Sequence, residues 1–312
     1  MQLGVHVGQQ NSDMADLVAL WHRLDSAVDW ISVWDHLYEA PPAGGTTVHY
    51  EAVATLGALA SVTEQARLGC LMFCVPYRNP ALLAKSIVAI DHISGGRFEP
   101  GFGAGWHEPE FVAHGYDFDD IGTRFDQLTE GLEIISGMLS DDATTTVHGE
   151  HFRVEDVTCV PGPFDEAIPL WTGGRGPTRT PETAARFCSG WNVPYVGPDE
   201  YRRLNQRLDA ACEAIDRDPS TLERSVNLAF RIGATPEAAA SELQRLRDQW
   251  GPEMADRVTE GALTGTPDQA IDRIAQYRDA GADMVNIALR LPVDDEALSA
   301  YLDDVVPAAR RL

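Results

Sequence analysis

Apolar positions along this chain follow two alternating patterns. Short runs in which most positions are apolar alternate with longer stretches whose apolar residues return every three or four positions. The short runs fall at 2–7, 30–36, 66–74, 97–105, 168–174, 190–194, 225–234 and 283–291, and read as strands. The longer stretches predict helices at 13–28, 51–65, 80–93, 107–114, 123–139, 178–188, 199–215, 236–249, 267–280 and 294–309. Pro80 opens one of them, as expected of a residue whose missing N–H is no loss in a first helical turn.

Eight strands, each with a helix after it, predict a parallel sheet covered by helices. At this length the pattern fits an α/β protein built as a (β/α)8 TIM barrel, one domain over residues 1–312. A doubly wound sheet is the alternative, because alternation alone does not close a barrel. The stretch 144–155, "TTTVHGEHFRVE", has hairpin character with Gly149 near its turn, and would be an insertion between the fourth and fifth units. Insertions are also expected after strands 2 and 7. The loops 37–50, 106–122 and 250–264 are the ones expected to shape a substrate pocket.

Composition narrows the function. The chain carries 48 acidic against 24 basic residues, a net charge of −24, and Lys85 is its one lysine. Nucleic-acid binding is disfavoured, since neutralising phosphates requires a basic face. Two readings fit the acidity: a solvated acidic surface, or adaptation to high salt, where screening relieves self-repulsion. No apolar run is long enough to span a bilayer, and the first residues have no basic flank or apolar stretch of a secretory leader. Cys70, Cys74, Cys159, Cys188 and Cys212 are an odd set without metal-type spacing. A reduced, cytoplasmic protein is the simplest expectation.

In a barrel, function collects at the C-terminal ends of the strands. Three stretches fall there. In "VWDHLYEA", Asp35 and His36 close the second strand, and neighbouring strand residues face opposite ways, so one of them can point into the mouth. A histidine there can move a proton near neutral pH; a hydrogen-bonded structural pair is the alternative. In "FEPGFGAGWHEPE", Gly101, Gly103 and Gly105 alternate, but the third glycine comes one residue early for a dinucleotide fingerprint and Trp106 follows it. Such glycines admit a flat ring close to the backbone, or serve a tight barrel strand whose interior needs small residues. In "LWTGGRGPTRTPETAARF", a strand ends in Gly173 and Gly174, and Arg175, Gly176 and Arg179 lead into a helix. Free amides at a helix N-terminus with two arginines form a plausible anion site, with a solvated loop as the alternative. His6, His107, His114, His148 and His151 form no metal-binding cluster, so no metal is expected.

Together these stretches resemble the bacterial-luciferase-like oxidoreductases, and within them the branch that uses the deazaflavin coenzyme F420. The resemblance covers nearly the whole chain. It rests on "VWDH" (33–36), "PYRNPALLAK" (76–85), "DHISGGRFEPGFGAGWHEPEFVAHGYDF" (91–118), "PLWTGGRGPTRT" (169–180), "AARFCSGWN" (184–192) and "GTPDQAIDRI" (265–274). It implies a barrel with the deazaflavin ring at the C-terminal mouth and its phosphate in the loop after the fifth strand. Contacts to the cofactor would come from Asp35, His36, Leu71, Met72, Ala104, Gly105, Trp106, Gly173, Gly174, Arg175, Gly176 and Arg179. Relatives carry a non-proline cis peptide at the end of the third strand, and spacing from "PYRNP" places it at Leu71–Met72. The sugar-phosphate dehydrogenases of this family have Thr-Gly-Glu where this chain has Ala104, Gly105 and Trp106, which argues against sugar-phosphate oxidation. The implied chemistry is hydride transfer between F420 and a small-molecule substrate. His36 would handle the accompanying proton, Asp35 would fix the loop or the cofactor edge, and Trp34 and Trp106 would wall the pocket. Relatives often pair, so a homo-oligomer, dimer or tetramer, is implied. The rival on the same fold is an FMN-dependent monooxygenase working with reduced flavin and oxygen; a binding barrel that has lost turnover is the reading from another class.

Overall fold

A computed structural model describes residues 1–39, 45–140 and 144–312, with the side chain of Trp250 also left aside. Its eight barrel strands are β1 (Gln2–Val7), β2 (Trp30–Val33), β3 (Arg67–Cys74), β4 (Phe98–Gly103), β7 (Trp171–Gly173), β8 (Gly190–Pro194), β9 (Glu223–Ile232) and β11 (Met284–Leu289). Each pairs in parallel with its neighbours, β11 returns beside β1, and β8 pairs β9, so the sheet closes. The expected TIM barrel is the fold. Strands buried on both faces explain the near-continuous apolar runs: all six residues of β11, "MVNIAL", are buried between the barrel interior and the helices outside.

Helices form where their ends are specified. The helix Pro80–Ser94 starts on Asn79, whose side chain accepts from the amides of Ala81 and Leu82, and stops at Gly95 in the left-handed region. Pro267–Asp279 starts on a capping box in which Thr266 and Gln269 satisfy each other's amides. The expected hairpin is present as β5 (Thr145–His148) and β6 (Arg153–Val157), antiparallel, between the fourth and fifth barrel strands. Glu130 of the helix Ile121–Met138 anchors its turn by accepting from the amides of Glu150, His151 and Phe152.

Two elements depart from the expectation. The stretch 250–264, expected as a loop, holds the helix Pro252–Glu260 and a ninth sheet strand, β10 (Ala262–Gly265), paired in parallel with the upper half of β9. β9 is ten residues long, twice the length of β8, so its C-terminal half needs another partner for its backbone groups and β10 supplies it. The C-terminal stretch, expected as one helix, is continuous but passes through a π-helical turn at Tyr301–Val305.

The N-terminal end of the barrel is closed by one ionic network. Arg67 bonds both oxygens of Glu99 (2.7 and 2.9 Å) and of Glu223 (3.1 and 2.9 Å). Its guanidinium also lies over the Trp30 ring, and Trp171 Nε1 donates to Glu99 at 2.8 Å. The opposite, C-terminal end is left for chemistry.

Candidate active site

Asp35 and His36 follow β2 and diverge, as strand geometry requires. Asp35 turns inward and is fully engaged: Arg78 donates to its two oxygens at 2.5 and 2.7 Å, and the Cys74 amide donates at 2.9 Å. Burial pushes the Asp35 carboxyl up, while Arg78 and the Cys74 amide pull it back. Asp35 therefore ties the end of β2 to the turn after β3.

His36 lies on the rim, with 18% of its side chain exposed. Its Nδ1 is 2.8 Å from Glu110 Oε1. Glu110 comes from the short helix Glu108–Ala113 and its side chain is wholly buried. The other oxygen of that carboxylate accepts from Tyr77 Oη at 3.0 Å and from the Leu37 amide at 3.4 Å. Burial pushes the Glu110 carboxyl up, but His36, Tyr77 and the Leu37 amide outweigh it and hold the group below its ordinary value. An ionised Glu110 can only accept, so Nδ1 of His36 donates to it and Nε2 is left for another partner. Glu110 is the functional candidate that sequence reasoning missed. It ends the stretch "FEPGFGAGWHEPE", four residues after Trp106, and nothing in the spacing marks it as a partner of His36.

Aromatic groups surround His36. The rings of Trp106, His107 and Trp34 lie 5.5, 6.2 and 6.3 Å from it, each near edge-on. Trp34 is buried, whereas Trp106 is 61% exposed and free to pack on something else. His6 of β1 sits deeper, bonded to Ser32 Oγ at 2.8 Å; burial, with His36 second, lowers its pKa to about 3.

The Leu71–Met72 peptide is cis, and the β3–β4 register slips across it, between Cys70 and Phe73. The glycines of β4 and β7 are explained by the residue this exposes. A Cβ on Gly101 or Gly173 would strike the Met72 side chain, and on Gly173 would also come within 2.6 Å of the Asn192 carbonyl oxygen. The small residues thus admit Met72 into the barrel, as a tight interior requires. Ala104 is buried, and Gly105 turns the chain with φ +76° before Trp106.

After β7, Gly174 adopts φ +136°, a conformation that a side chain would oppose. Thr178 caps the helix Arg179–Phe187 without a side-chain hydrogen bond, so its first amides remain available beside Gly176. Arg175 is exposed and has no ion-pair partner among the described residues. Arg179 departs from the anion-site expectation: it donates to the Gly122 carbonyl at 2.9 Å and pairs with Asp126 at 2.5 Å, over the Phe125 ring. Its charge is spent on the neighbouring helix, leaving Arg175 and the amides as the anion-binding groups. Of the loops expected to shape the pocket, residues 40–44 lie outside the described residues.

Residues 29–284 match the family model of the luciferase-like monooxygenases. The chain is 26% identical to the F420-dependent glucose-6-phosphate dehydrogenase of Intrasporangium calvum, over 84% of this chain and 85% of that one. It is 23% identical to the FMNH2-dependent dimethylsulfone monooxygenase of Pseudomonas fluorescens, over 77% and 73% of the two chains. Among solved structures, an F420-dependent secondary alcohol dehydrogenase superimposes with a TM-score of 0.85, at 18% identity and 99% coverage of both chains.

Proposed function

The chain belongs to the luciferase-like monooxygenase family, and from that premise we propose that it is an F420-dependent oxidoreductase acting on a small organic substrate. The observation that carries the reading is the His36–Glu110 pair on the C-terminal rim. On the same rim, Gly174, Gly176, the uncapped helix start and the unpaired Arg175 form a cradle suited to a phosphate diester. These residues fit the cofactor: Arg175 and the loop amides would hold its phosphate, and Trp106, Leu71 and Met72 would meet its ring.

F420, when bound, supplies two-electron hydride chemistry. The chain's own part is the proton and the geometry. Glu110 holds Nδ1–H of His36, so Nε2 is the atom that takes the proton a substrate loses on oxidation, or returns it on reduction. Asp35 and Arg78 fix the backbone from which His36 projects. Trp34 and Trp106 exclude water from the flanks of the imidazole.

The test is spectroscopic. Oxidised F420 mixed with the protein and a panel of small alcohols should lose its visible absorbance with one of them. His36→Ala should bind the cofactor within a few-fold and turn over ~10²–10⁴ more slowly. Unchanged turnover would remove His36 from the mechanism. A second reading, an FMN-dependent monooxygenase, is favoured by the likeness to the dimethylsulfone enzyme. It would require oxygen uptake with reduced FMN.

A further inference from the structure

Trp34, the first residue past β2, is held from several directions at the C-terminal end of the barrel. The Gln9 side chain donates to its carbonyl at 2.5 Å and accepts from its amide at 3.4 Å. Gly8 makes room for the ring, since a Cβ there would strike the six-membered part of the indole. The indole Nε1–H donates to His49 Nε2 at 3.1 Å. His49 is placed by backbone: residues 48–50 run antiparallel beside 9–11, with the Asn11 amide donating to the Val48 carbonyl and the Tyr50 amide to the Gln9 carbonyl. Burial first, and His36 second, lower the His49 pKa to about 4, so near neutral pH its Nε2 can accept from the indole.

The result is a wall with no polar atom to offer. Trp34 is buried, and its ring lies 5.3 Å from that of His6 and 6.3 Å from that of His36. Its amide, carbonyl and indole N–H are all engaged. A substrate hydroxyl pressed on this wall would give up water and find no partner, whereas an alkyl group has no such bond to lose.

We propose that His49 is a positioning residue that locks the Trp34 indole, and that the locked wall selects a substrate with an alkyl group, rather than a second hydroxyl, next to the carbon bearing its reacting oxygen. The substrate class rests on the oxidoreductase reading; the lock on the indole does not.

Butan-2-ol and propane-1,2-diol are of equal size, one carrying an ethyl group where the other has hydroxymethyl. With oxidised F420 the wild type should favour butan-2-ol in kcat/KM by about 10-fold. His49→Leu leaves the indole N–H without an acceptor, and the diol's second hydroxyl can accept from it, so the preference should fall to about 2-fold. His49→Gln, whose amide oxygen can accept, should keep the wild-type preference. Melting temperatures establish that the variants fold. A merely structural His49 would slow both alcohols alike in His49→Leu, and an unchanged ratio would overturn the proposal. A second readout needs no turnover. In the 15N-tryptophan-labelled full chain, the Trp34 indole signal, assigned by its loss in Trp34→Phe, should exchange with solvent about 10-fold faster in His49→Leu than in wild type or His49→Gln. Butan-2-ol should shift that signal in the wild type at about 10-fold lower concentration than the diol, a comparison that stands without any variant at position 49. Equal exchange in the three proteins, or equal response of the wild type to the two alcohols, would also overturn the proposal. Failure of both alcohols to reduce F420 would sink the reading of the site as an alcohol-oxidising one, and the indole signal would still decide on the wall.

Discussion

His6 shows how strongly a barrel interior can rule one residue. Its imidazole ordinarily titrates at 6.5 but is held down at about 3 in the fold, chiefly by burial. The unfolded chain therefore takes up a proton, as pH falls below 6.5, that the folded chain refuses until about pH 3. Stability from this group is whole above pH 6.5 and is lost as pH falls through that window, by about 1.4 kcal/mol per pH unit. Urea unfolding of His6→Asn between pH 6 and pH 4 should show a correspondingly shallower slope; an unchanged slope would show that His6 does not titrate this way. Glu110 fixes how His36 is presented, by accepting from its Nδ1. Glu110→Gln should keep the cofactor affinity and lower turnover by about 10-fold, the worth of a charge-assisted hydrogen bond. Unchanged turnover would mean that Glu110 is only structural. His36, the proposed proton-handling residue, was legible in "VWDH" because a strand end exposes it. Its partner was not, since Glu110 reaches it only through the folding of a short helix back across the barrel mouth, a contact 74 residues apart in sequence.

Among elements, the barrel strands were legible and their closure was not. Periodicity marks a strand buried on both faces, as in β11, but says nothing of which strand meets which. β10 was missed because "ALTG" is only four residues long and half-buried, and its strand character comes from the overhang of β9. The ion pair of Arg179 was hidden for a related reason: the pattern marks a helix start, whereas the neighbouring helix supplying Asp126 is a matter of packing. Arg67 illustrates what closure depends on. It joins β3 to Glu99 of β4 and Glu223 of β9, across the base of the barrel. Arg67→Ala would leave two facing carboxylates, one of them mostly buried, without their cation. A loss of about 3 kcal/mol in urea unfolding is expected. A loss under about 1 kcal/mol would show that the network is surface decoration of the kind exposed ion pairs usually are.

For the whole molecule, charge sets the terms of association. A chain at −24 and an anionic cofactor repel at long range, and at 0.1 M salt screening confines that repulsion to about 10 Å. Close to the rim, the exposed Arg175 supplies a local positive charge. Stopped-flow association of F420 should therefore speed up as salt rises from low to moderate levels, and a steady slowing would mean that Arg175 steers from a distance. No described helix is long and apolar enough to cross a membrane.

The most direct measurement is a parallel titration of the purified protein with oxidised F420 and with FMN, followed by intrinsic tryptophan fluorescence, since Trp34 and Trp106 flank His36. F420 should quench and saturate at a concentration at least about 10-fold below that of FMN, a difference of about 1.4 kcal/mol. Saturation by FMN at the lower concentration, with F420 failing to displace it, would contradict the deazaflavin assignment and leave the flavin monooxygenase reading in its place.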